Sequence, residues 1–231
     1  MGKKYELTEE TKEFCNRTLY RIKALKDFGD VEVGDLGGYI ESESNLMQEG
    51  CAWVYGNAMV YGSARVCDNA KVYGSARVCD NAKVYGDAKV CDNAKVYGDA
   101  NVYGSANVYG DAMVLGSADV CGSANVYGSA NVYGYADVRG DADVCGSADV
   151  RGDAEIKGKT DYIVFKNWWS SGRYFTWTRS NNMWKVGCFY GTGKELVEKA
   201  YKDSELSGRE YERVVKYVES ILADEKKQRK Q

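Results

Sequence analysis

An uninterrupted repeat of six residues constrains this chain more than any other feature of its sequence. From Val54 to Ile156 an aliphatic residue returns at every sixth position, and Ala follows four residues after each Val through Ala154. A period of six matches neither a helix of 3.6 residues per turn nor a simple alternating strand. The residues between Val and Ala are rich in Gly, Asp and Asn, which tolerate the positive φ of tight corners. The pattern predicts short strands centred on Val and a β-solenoid whose stacked coils share a core of Val and Ala.

These hexads resemble the repeats of the hexapeptide-repeat left-handed β-helix family, in which three hexads form one coil. The resemblance covers about half of the chain, and it implies a mainly β fold with a triangular, parallel, left-handed β-helix. Eighteen hexads at three per coil predict about six coils. One departure is that Gly stands two places after the aliphatic residue, whereas the family commonly has it directly after. The left hand rests on the resemblance alone, because general rules favour right-handed crossovers.

The flanking segments predict one further unit on each side of the repeat. Residues 1–50 form a predicted N-terminal cap, because a terminal coil must hide its core and its unpaired edge. Their segment 20–40 is similar to the caps of uncharacterised hexapeptide-repeat proteins from bacterial and prophage genomes. Residues 51–158 hold the β-helix, and residues 159–231 predict a small α+β domain. That domain has three predicted strands (162–165, 173–179 and 183–190) and two helices with capping boxes at Thr192 and Ser207.

A coil of eighteen residues determines which cysteines come close together. Cys67 and Cys121 share a column but lie three coils, about 14 Å, apart, which is too far for a disulfide. The other cysteines at the same position of the hexad alternate with tyrosines. A coil of twelve residues would instead stack the cysteines, and the family resemblance favours eighteen. We therefore expect free thiols and a reducing, cytoplasmic location.

A column of acidic residues raises the question of a metal site. Asp119, Asp137 and Glu155 are expected on successive coils, where like charges repel. Either a cation lies among them, or Arg139 and Lys157 on the same strands neutralise them. The second interpretation is favoured because hard cations require six or more oxygen ligands. No metal and no cofactor is predicted.

The chain contains no histidine, which argues against an enzyme. Acyltransferases of the resembled family usually carry a histidine base and a loop that projects from the coil, and this chain has neither. We therefore assign no catalytic residue and disfavour the acyltransferase interpretation. No apolar run approaches the length of about 18 residues that spans a membrane, so no membrane partner is predicted.

One face of the predicted β-helix is more apolar than the other two, and it predicts an interface between copies of the chain. Its members are Met59, Tyr61, Tyr97, Met113, Leu115 and Tyr133. The family resemblance implies a homotrimer, with a dimer as the second choice. In the alternative interpretation, the C-terminal domain folds back over this face.

Aromatic and basic residues cluster in the C-terminal domain and predict a ligand-binding surface. The predicted members are Trp168, Trp169, Arg173, Trp177, Arg179, Trp184 and Lys194. Indole rings stack on nucleobases, and the alternative is that they form the core of the domain. Lys194 opens a helix that has free N–H groups for an anion, and the alternative is a plain helix cap. Residues 159–231 carry a net charge of 15 − 10 = +5.

The favoured interpretation is a non-catalytic binding or assembly protein of phage or prophage origin. Such a protein would bind, and so block, a host protein or a nucleotide ligand through its C-terminal domain. Nucleic-acid binding by the same domain is the second interpretation, and acyl transfer is the third.

Overall fold

The computed structural model describes residues 2–167, 169 and 172–228. The chain divides into two units, Met1–Tyr162 and Ile163–Gln231. The first contains the repeat and the N-terminal segment, and the second contains most of a small sheet and both α-helices. Among the described residues, no helix is both long and apolar enough to cross a membrane.

Each hexad of the repeat forms one strand of two residues, with Val or Ile as its second member. In chain order the strands are β4 (Trp53–Val54), β5 (Met59–Val60), β6 (Arg65–Val66), β7 (Lys71–Val72), β8 (Arg77–Val78), β9 (Lys83–Val84), β10 (Lys89–Val90), β11 (Lys95–Val96), β12 (Asn101–Val102), β13 (Asn107–Val108), β14 (Met113–Val114), β15 (Asp119–Val120), β16 (Asn125–Val126), β17 (Asn131–Val132), β18 (Asp137–Val138), β19 (Asp143–Val144), β20 (Asp149–Val150) and β21 (Glu155–Ile156).

Every third strand belongs to the same parallel sheet, so the repeat has three faces. The first face contains β5, β8, β11, β14, β17 and β20, the second runs from β4 to β19, and the third runs from β6 to β21. Val66 pairs with Val84, and Val90 pairs with Val108, so each coil contains eighteen residues. The predicted coil length is confirmed.

The interior of the solenoid contains only small aliphatic side chains from the repeat. The Val and Ala positions from Val54 to Ile156 are inaccessible to solvent, as the hexad pattern predicts. Burying one Val side chain contributes about 1.5–3 kcal/mol, and stacking neighbours share that gain. Backbone hydrogen bonds run between coils; for example, the N–H of Tyr73 donates to the carbonyl of Val90 at 3.0 Å.

The corners of the solenoid interlock from one coil to the next. Asp68 has a φ of +59°, a conformation that Gly supplies at most other corners. Its Oδ2 accepts a hydrogen bond from the N–H of Gly86, one coil further, at 3.0 Å. The neighbouring Asn69 donates from Nδ2 to Oδ1 of Asp87 at 3.0 Å. These polar contacts explain why Asp-Asn replaces Gly-Ser at some corners without interrupting the repeat.

The N-terminal segment extends the solenoid as well as capping it. Strands β1 (Tyr5–Phe14) and β2 (Arg17–Ala24) form an antiparallel hairpin, and β3 (Leu36–Ile40) pairs in parallel with β5. A short 3-10 helix (Glu43–Asn45) follows, and Leu46 forms a bridge with Val66. Coiling therefore starts inside the predicted cap, and the solenoid has about seven turns rather than the predicted six, with seven parallel strands on the first face.

From Tyr162 onwards the described residues form four strands and two helices, whereas the sequence predicted three strands. The strands are β22 (Tyr162–Lys166), β23 (Tyr174–Thr178), β24 (Met183–Val186) and β25 (Phe189–Gly191), and the helices are α1 (Gly193–Asp203) and α2 (Glu205–Gln228). Strand 183–190 was predicted as one element, but Gly187 adopts a φ of +54° and reverses the chain between β24 and β25. The capping box at Thr192 is confirmed. The one at Ser207 is wrong: α2 begins at Glu205, and Ser204 Oγ accepts from the N–H of Ser207 at 3.1 Å.

Candidate functional site

The predicted interface residues all lie on the first face, but two of them contact the N-terminal hairpin. Met59 is only 4% exposed and packs with Leu19 of the N-terminal hairpin. The ring of Tyr61 contacts that of Phe14, with centroids 5.7 Å apart. Met59 is therefore not part of an open surface, because the β1–β2 hairpin covers that end of the face, whereas Tyr61 stays half-buried at the edge of the hairpin.

Beyond the hairpin, the first face keeps an open apolar patch. We call it the apolar strip, and it consists of Tyr97, Met113, Leu115 and Tyr133. All four side chains are half-buried, and together with Asn131 and Asp149 they line a shallow cavity of about 240 Å³. The structure thus brings four of the six predicted residues together.

Met113 also interrupts a polar ladder that is continuous on the second face. There, Asn107 Nδ2 donates to Asn125 Oδ1 at 3.1 Å, and Asn125 Nδ2 donates to Asp143 Oδ1 at 2.8 Å. On the first face, Met113 takes the place of Asn107, and the buried Oδ1 of Asn131 has no hydrogen-bond partner among the described residues. On the first face an apolar side chain, Met113, thus stands where the second face has an amide that donates a hydrogen bond to the next coil.

The acidic column on the third face is neutralised by basic side chains. Arg139 pairs with Asp137 at 3.1 Å and with Glu155 at 2.7 Å, and Lys157 reaches Glu155 at 2.8 Å. These ion pairs confirm the expected arrangement. Burial raises the pKa of Asp137, although Arg139 opposes the shift. Within the described ranges, no group of three cysteine or carboxylate side chains has the geometry to hold a metal ion.

The eight cysteines are free thiols in the structure, as predicted. Most of those in the repeat lie beside a tyrosine of the preceding coil. Burial, together with the neighbouring Cys91 thiol, raises the pKa of Tyr73 to about 12. Burial raises the pKa of the Cys91 thiol as well, so this thiol is not activated as a nucleophile.

In the second unit, two of the predicted ligand-binding tryptophans belong to the hydrophobic core. Trp177 and Trp184 are 1% and 2% exposed and pack with Phe175 and Leu196. Their rings are not available to a ligand, which corrects the expectation of an exposed stacking surface. Trp169 is half-buried, with its ring centroid 6.0 Å from that of Phe175. Trp168 lies outside the described residues.

The three predicted basic residues have different environments. Arg179 is bound by Glu225 through two hydrogen bonds, at 2.6 and 3.1 Å. Lys194 is exposed on the first turn of α1 and lies 3.9 Å from Glu198. Arg173 is exposed and lines a cavity of about 160 Å³ together with Lys199. The structure does not bring the predicted set into one site, and Arg173 and Lys194 remain as separate candidates.

Sequence reasoning missed two features of the first unit. One is the hairpin over the first face, since the sequence pattern predicts only a cap for these residues. The other is a groove on the third face with a volume of about 580 Å³, lined by residues that include Arg65, Cys67, Lys83 and Tyr85. The sequence does contain a signal for this groove. Cys67 is the first cysteine that follows a Val of the repeat, and it has no tyrosine in the same column of the preceding coil.

Comparison with known proteins supports the solenoid interpretation. A family model described as the YdcK beta solenoid repeat matches residues 52–67 and 64–80. A segment of 61 residues is 41% identical to a protein of Escherichia coli (strain K12) named "Uncharacterized acetyltransferase YdcK". This match covers 23% of the present chain and 19% of the relative. The likeness therefore concerns the repeat and not the whole of either protein.

Proposed function

We propose, from the premise that this chain is a hexapeptide-repeat β-helix protein, that it is a non-catalytic binding and assembly protein which self-associates through the apolar strip. One observation carries the proposal: the chain covers one end of the first face with its own hairpin and leaves Tyr97, Met113 and Leu115 half-exposed beyond it, next to Tyr133, whose ring lies 5.1 Å from the guanidinium of Arg151. Apolar side chains that line a flat sheet favour an interface over a solvated surface.

A second copy of the chain is the proposed occupant of the apolar strip. The strip lies on two-residue strands joined by tight corners, so the face is regular and stiff enough to pack against an identical face. The expected assembly is a homotrimer, with a dimer as the second choice, because proteins of the resembled family commonly form trimers. A symmetric contact would also cover Asn131, whose Oδ1 has no partner within the described part of the chain.

Light scattering on the purified chain tests self-association. We expect a homotrimer for the wild type and a monomer for Met113→Glu with Leu115→Glu, because charges in an apolar interface are costly to desolvate. The matched control is Asn107→Glu with Tyr109→Glu, which changes the same two strand positions on the second face and should keep the wild-type mass. A wild type that is monomeric at high concentration would refute this part of the proposal.

The finer part of the proposal concerns the partner. The resemblance of residues 20–40 to prophage-type caps supports a role in which the chain binds a host protein or a nucleotide ligand and blocks it. Arg173 and Lys199, exposed beside a cavity of the second unit, are the proposed contact residues. Nucleic-acid binding is less favoured, because burial of Trp177 and Trp184 removes two of its stacking rings.

Acyl transfer is a second candidate function, favoured by the name of the Escherichia coli relative. The absence of histidine from the chain weighs against it, since no imidazole base can activate an acceptor. Equilibrium dialysis against acetyl-coenzyme A separates the candidates. We expect no saturable binding; saturable binding with transfer of the acetyl group would support the enzyme instead.

A further inference from the structure

A regular pairing of tyrosine and cysteine covers the outer surface of the repeat. Four repeat cysteines each have a tyrosine one coil earlier in the same column, and the thiol contributes to the raised pKa of that tyrosine. The pairs are Tyr61–Cys79, Tyr73–Cys91, Tyr103–Cys121 and Tyr127–Cys145. The tyrosine and the shorter cysteine are neighbours along the column, as the pairing of Val72 with Val90 shows for Tyr73 and Cys91.

Cys67 on the third face departs from this pattern. The place of the preceding tyrosine is taken by Met47, whose N–H donates to the carbonyl of Val66 at 3.0 Å and whose side chain is 45% exposed. The N–H of Cys67 makes the same contact with Val84 on the next coil. Met47, Cys67 and Tyr85 are therefore successive members of one column, and the space above Cys67 is left uncovered.

One wall of that space is the flat face of a tyrosine. The ring of Tyr85 stacks on that of Tyr103, with centroids 4.9 Å apart and planes within 1°. Because Tyr103 occupies one face of this ring, the other face points back over Cys67. Two coil steps, about 9.6 Å, separate Met47 from Tyr85. This gap accommodates one planar ring at the same spacing as the tyrosine pair.

The rim of the space is cationic. Arg65 and Lys83 precede Cys67 and Tyr85 by two residues, so they lie on the same outer surface about 7 Å away along the strands. Both are exposed, and neither forms an ion pair within the described residues. The two carboxylates of the groove already have partners: Asp68 accepts from the N–H of Gly86 at 3.0 Å, and Asp119 accepts from Asn101 at 2.8 Å.

We propose that this notch on the third face, formed by Met47, Cys67 and Tyr85 and bordered by Arg65 and Lys83, binds a planar aromatic ring that carries an anionic group. The ring occupies the position that a tyrosine fills elsewhere and stacks on Tyr85, and the anion reaches the two cations. A nucleoside monophosphate has this form, with its base and phosphate separated by a ribose. The notch and the apolar strip lie on different faces, so this inference does not depend on self-association.

Three probes separate the contributions of ring and charge. Adenosine 5′-monophosphate carries both, adenosine lacks the phosphate, and ribose 5-phosphate lacks the ring. In saturation-transfer NMR and equilibrium dialysis at low salt, we expect the monophosphate to bind at least about tenfold more tightly than either fragment. Equal affinity for the monophosphate and ribose 5-phosphate would overturn the stacking role, and the proposal with it.

Variants then locate the site. Cys67→Tyr places a ring in the notch itself, so it should abolish binding while the solenoid melts as the wild type does. Cys91→Tyr introduces the same change on the second face and should leave binding intact. Because Cys67→Tyr could disturb the coil, the exposed pair Arg65→Gln with Lys83→Gln provides a second test and should weaken binding about tenfold or more. Its control is Lys89→Gln with Lys95→Gln, and unchanged affinity in both pairs would refute the assignment.

Discussion

At the scale of single residues, Lys4 is a fully buried charged group of the first unit. Its side chain is inaccessible to solvent, and Nζ donates to the carbonyls of Ala52 at 2.9 Å and Glu49 at 3.3 Å. The ammonium group also lies 5.0 Å from the centre of the Phe28 ring. Lys4 thus satisfies carbonyls where the chain enters the first complete coil, a task that the coil-to-coil ladder performs elsewhere.

Burial gives Lys4 a measurable pH signature. Its pKa falls from 10.5 to about 8, because the buried site disfavours the charged form. Between these values the unfolded chain binds a proton that the folded chain has released, so the free energy of unfolding rises with pH in this window. We expect Lys4→Met to lose about 1–3 kcal/mol at neutral pH through its unsatisfied carbonyls. Its deficit should widen from pH 8 towards pH 10.

Urea unfolding at several pH values measures this effect. Lys3→Met removes an exposed charge from the neighbouring position and serves as the control for net charge. The difference between variant and wild type is the quantity to compare, because titrations that the two proteins share cancel in it. A deficit of Lys4→Met that stays constant from neutral pH to pH 10 would contradict the buried, proton-releasing amine.

At the scale of secondary-structure elements, those set by nearby residues could be predicted from the sequence, and those set by contacts between distant residues could not. The strands β4 to β21 were predictable because each hexad meets the same neighbours in every coil, so the local pattern contains the whole environment. The start of α2 was not, since both Ser204 and Ser207 are residue types that cap helices, and Ser207, with Glu210 three residues later, matches the capping-box pattern although Ser204 Oγ accepts the N–H of Ser207. The hairpin over the first face depends on the pair Phe14–Tyr61, which no local pattern shows.

The junction between β3 and the repeat depends on a close approach of two backbones. A Cβ at Gly38 would lie 2.6 Å from the carbonyl oxygen of Ala58 and 2.7 Å from Cγ1 of Val54. Gly37 is equally confined, with Ile22 Cγ1 at 2.5 Å from its Cβ position. This pair of glycines therefore allows β3 to join the first face and extend the solenoid beyond the hexads.

Gly38→Ala should destabilise the junction by about 1–3 kcal/mol, because overpacking forces the backbones apart. Gly158→Ala is the control, since a Cβ there would meet nothing within 4 Å. Thermal unfolding followed by circular dichroism measures both variants, and amide exchange of β1 to β3 reports whether the loss is local. Equal melting temperatures for the two variants would show that β3 does not approach the repeat as described.

At the scale of the whole molecule, the sites predicted from the sequence fared less well than the fold. The apolar strip and the ion pairs of the acidic column form between residues stacked on successive coils. Which residues stack follows directly from the coil length of eighteen residues. The aromatic cluster of the second unit has no such repeat, and its composition is compatible with either a core or a surface. Trp177 and Trp184 form the core there because β23 and β24 turn these side chains towards α1 and α2.

The C-terminal region and the rest of the chain have net charges of opposite sign. Residues 159–231 carry +5, so the remaining residues carry −3 − 5 = −8. On each face of the solenoid the residue before Val changes from basic to acidic along the chain, as from Arg65 to Glu155 on the third face. The unpaired cations of the notch therefore belong to the early coils, whereas Lys157 and Arg139 of the late coils are paired with carboxylates.

The solenoid should tolerate the loss of a complete coil but not of a fraction of one. Deleting Asn101–Ala118 removes eighteen residues, the strands β12, β13 and β14, and leaves every later residue in its column. Stability in such arrays is close to a sum of contributions from each repeat and its neighbours. We therefore expect one cooperative thermal transition at a lower temperature than in the wild type.

Deleting Asn101–Leu115 removes fifteen residues and places every later Val three positions out of phase. Val120 would then face a corner position, so the later coils could not stack on the earlier ones, and the shared core would end at the junction. We expect loss of the single cooperative transition and rapid proteolysis near the junction, measured by circular dichroism and limited digestion. Because this variant retains more of the natural chain than the eighteen-residue deletion, greater stability in the fifteen-residue deletion would contradict a core built from coils of eighteen residues.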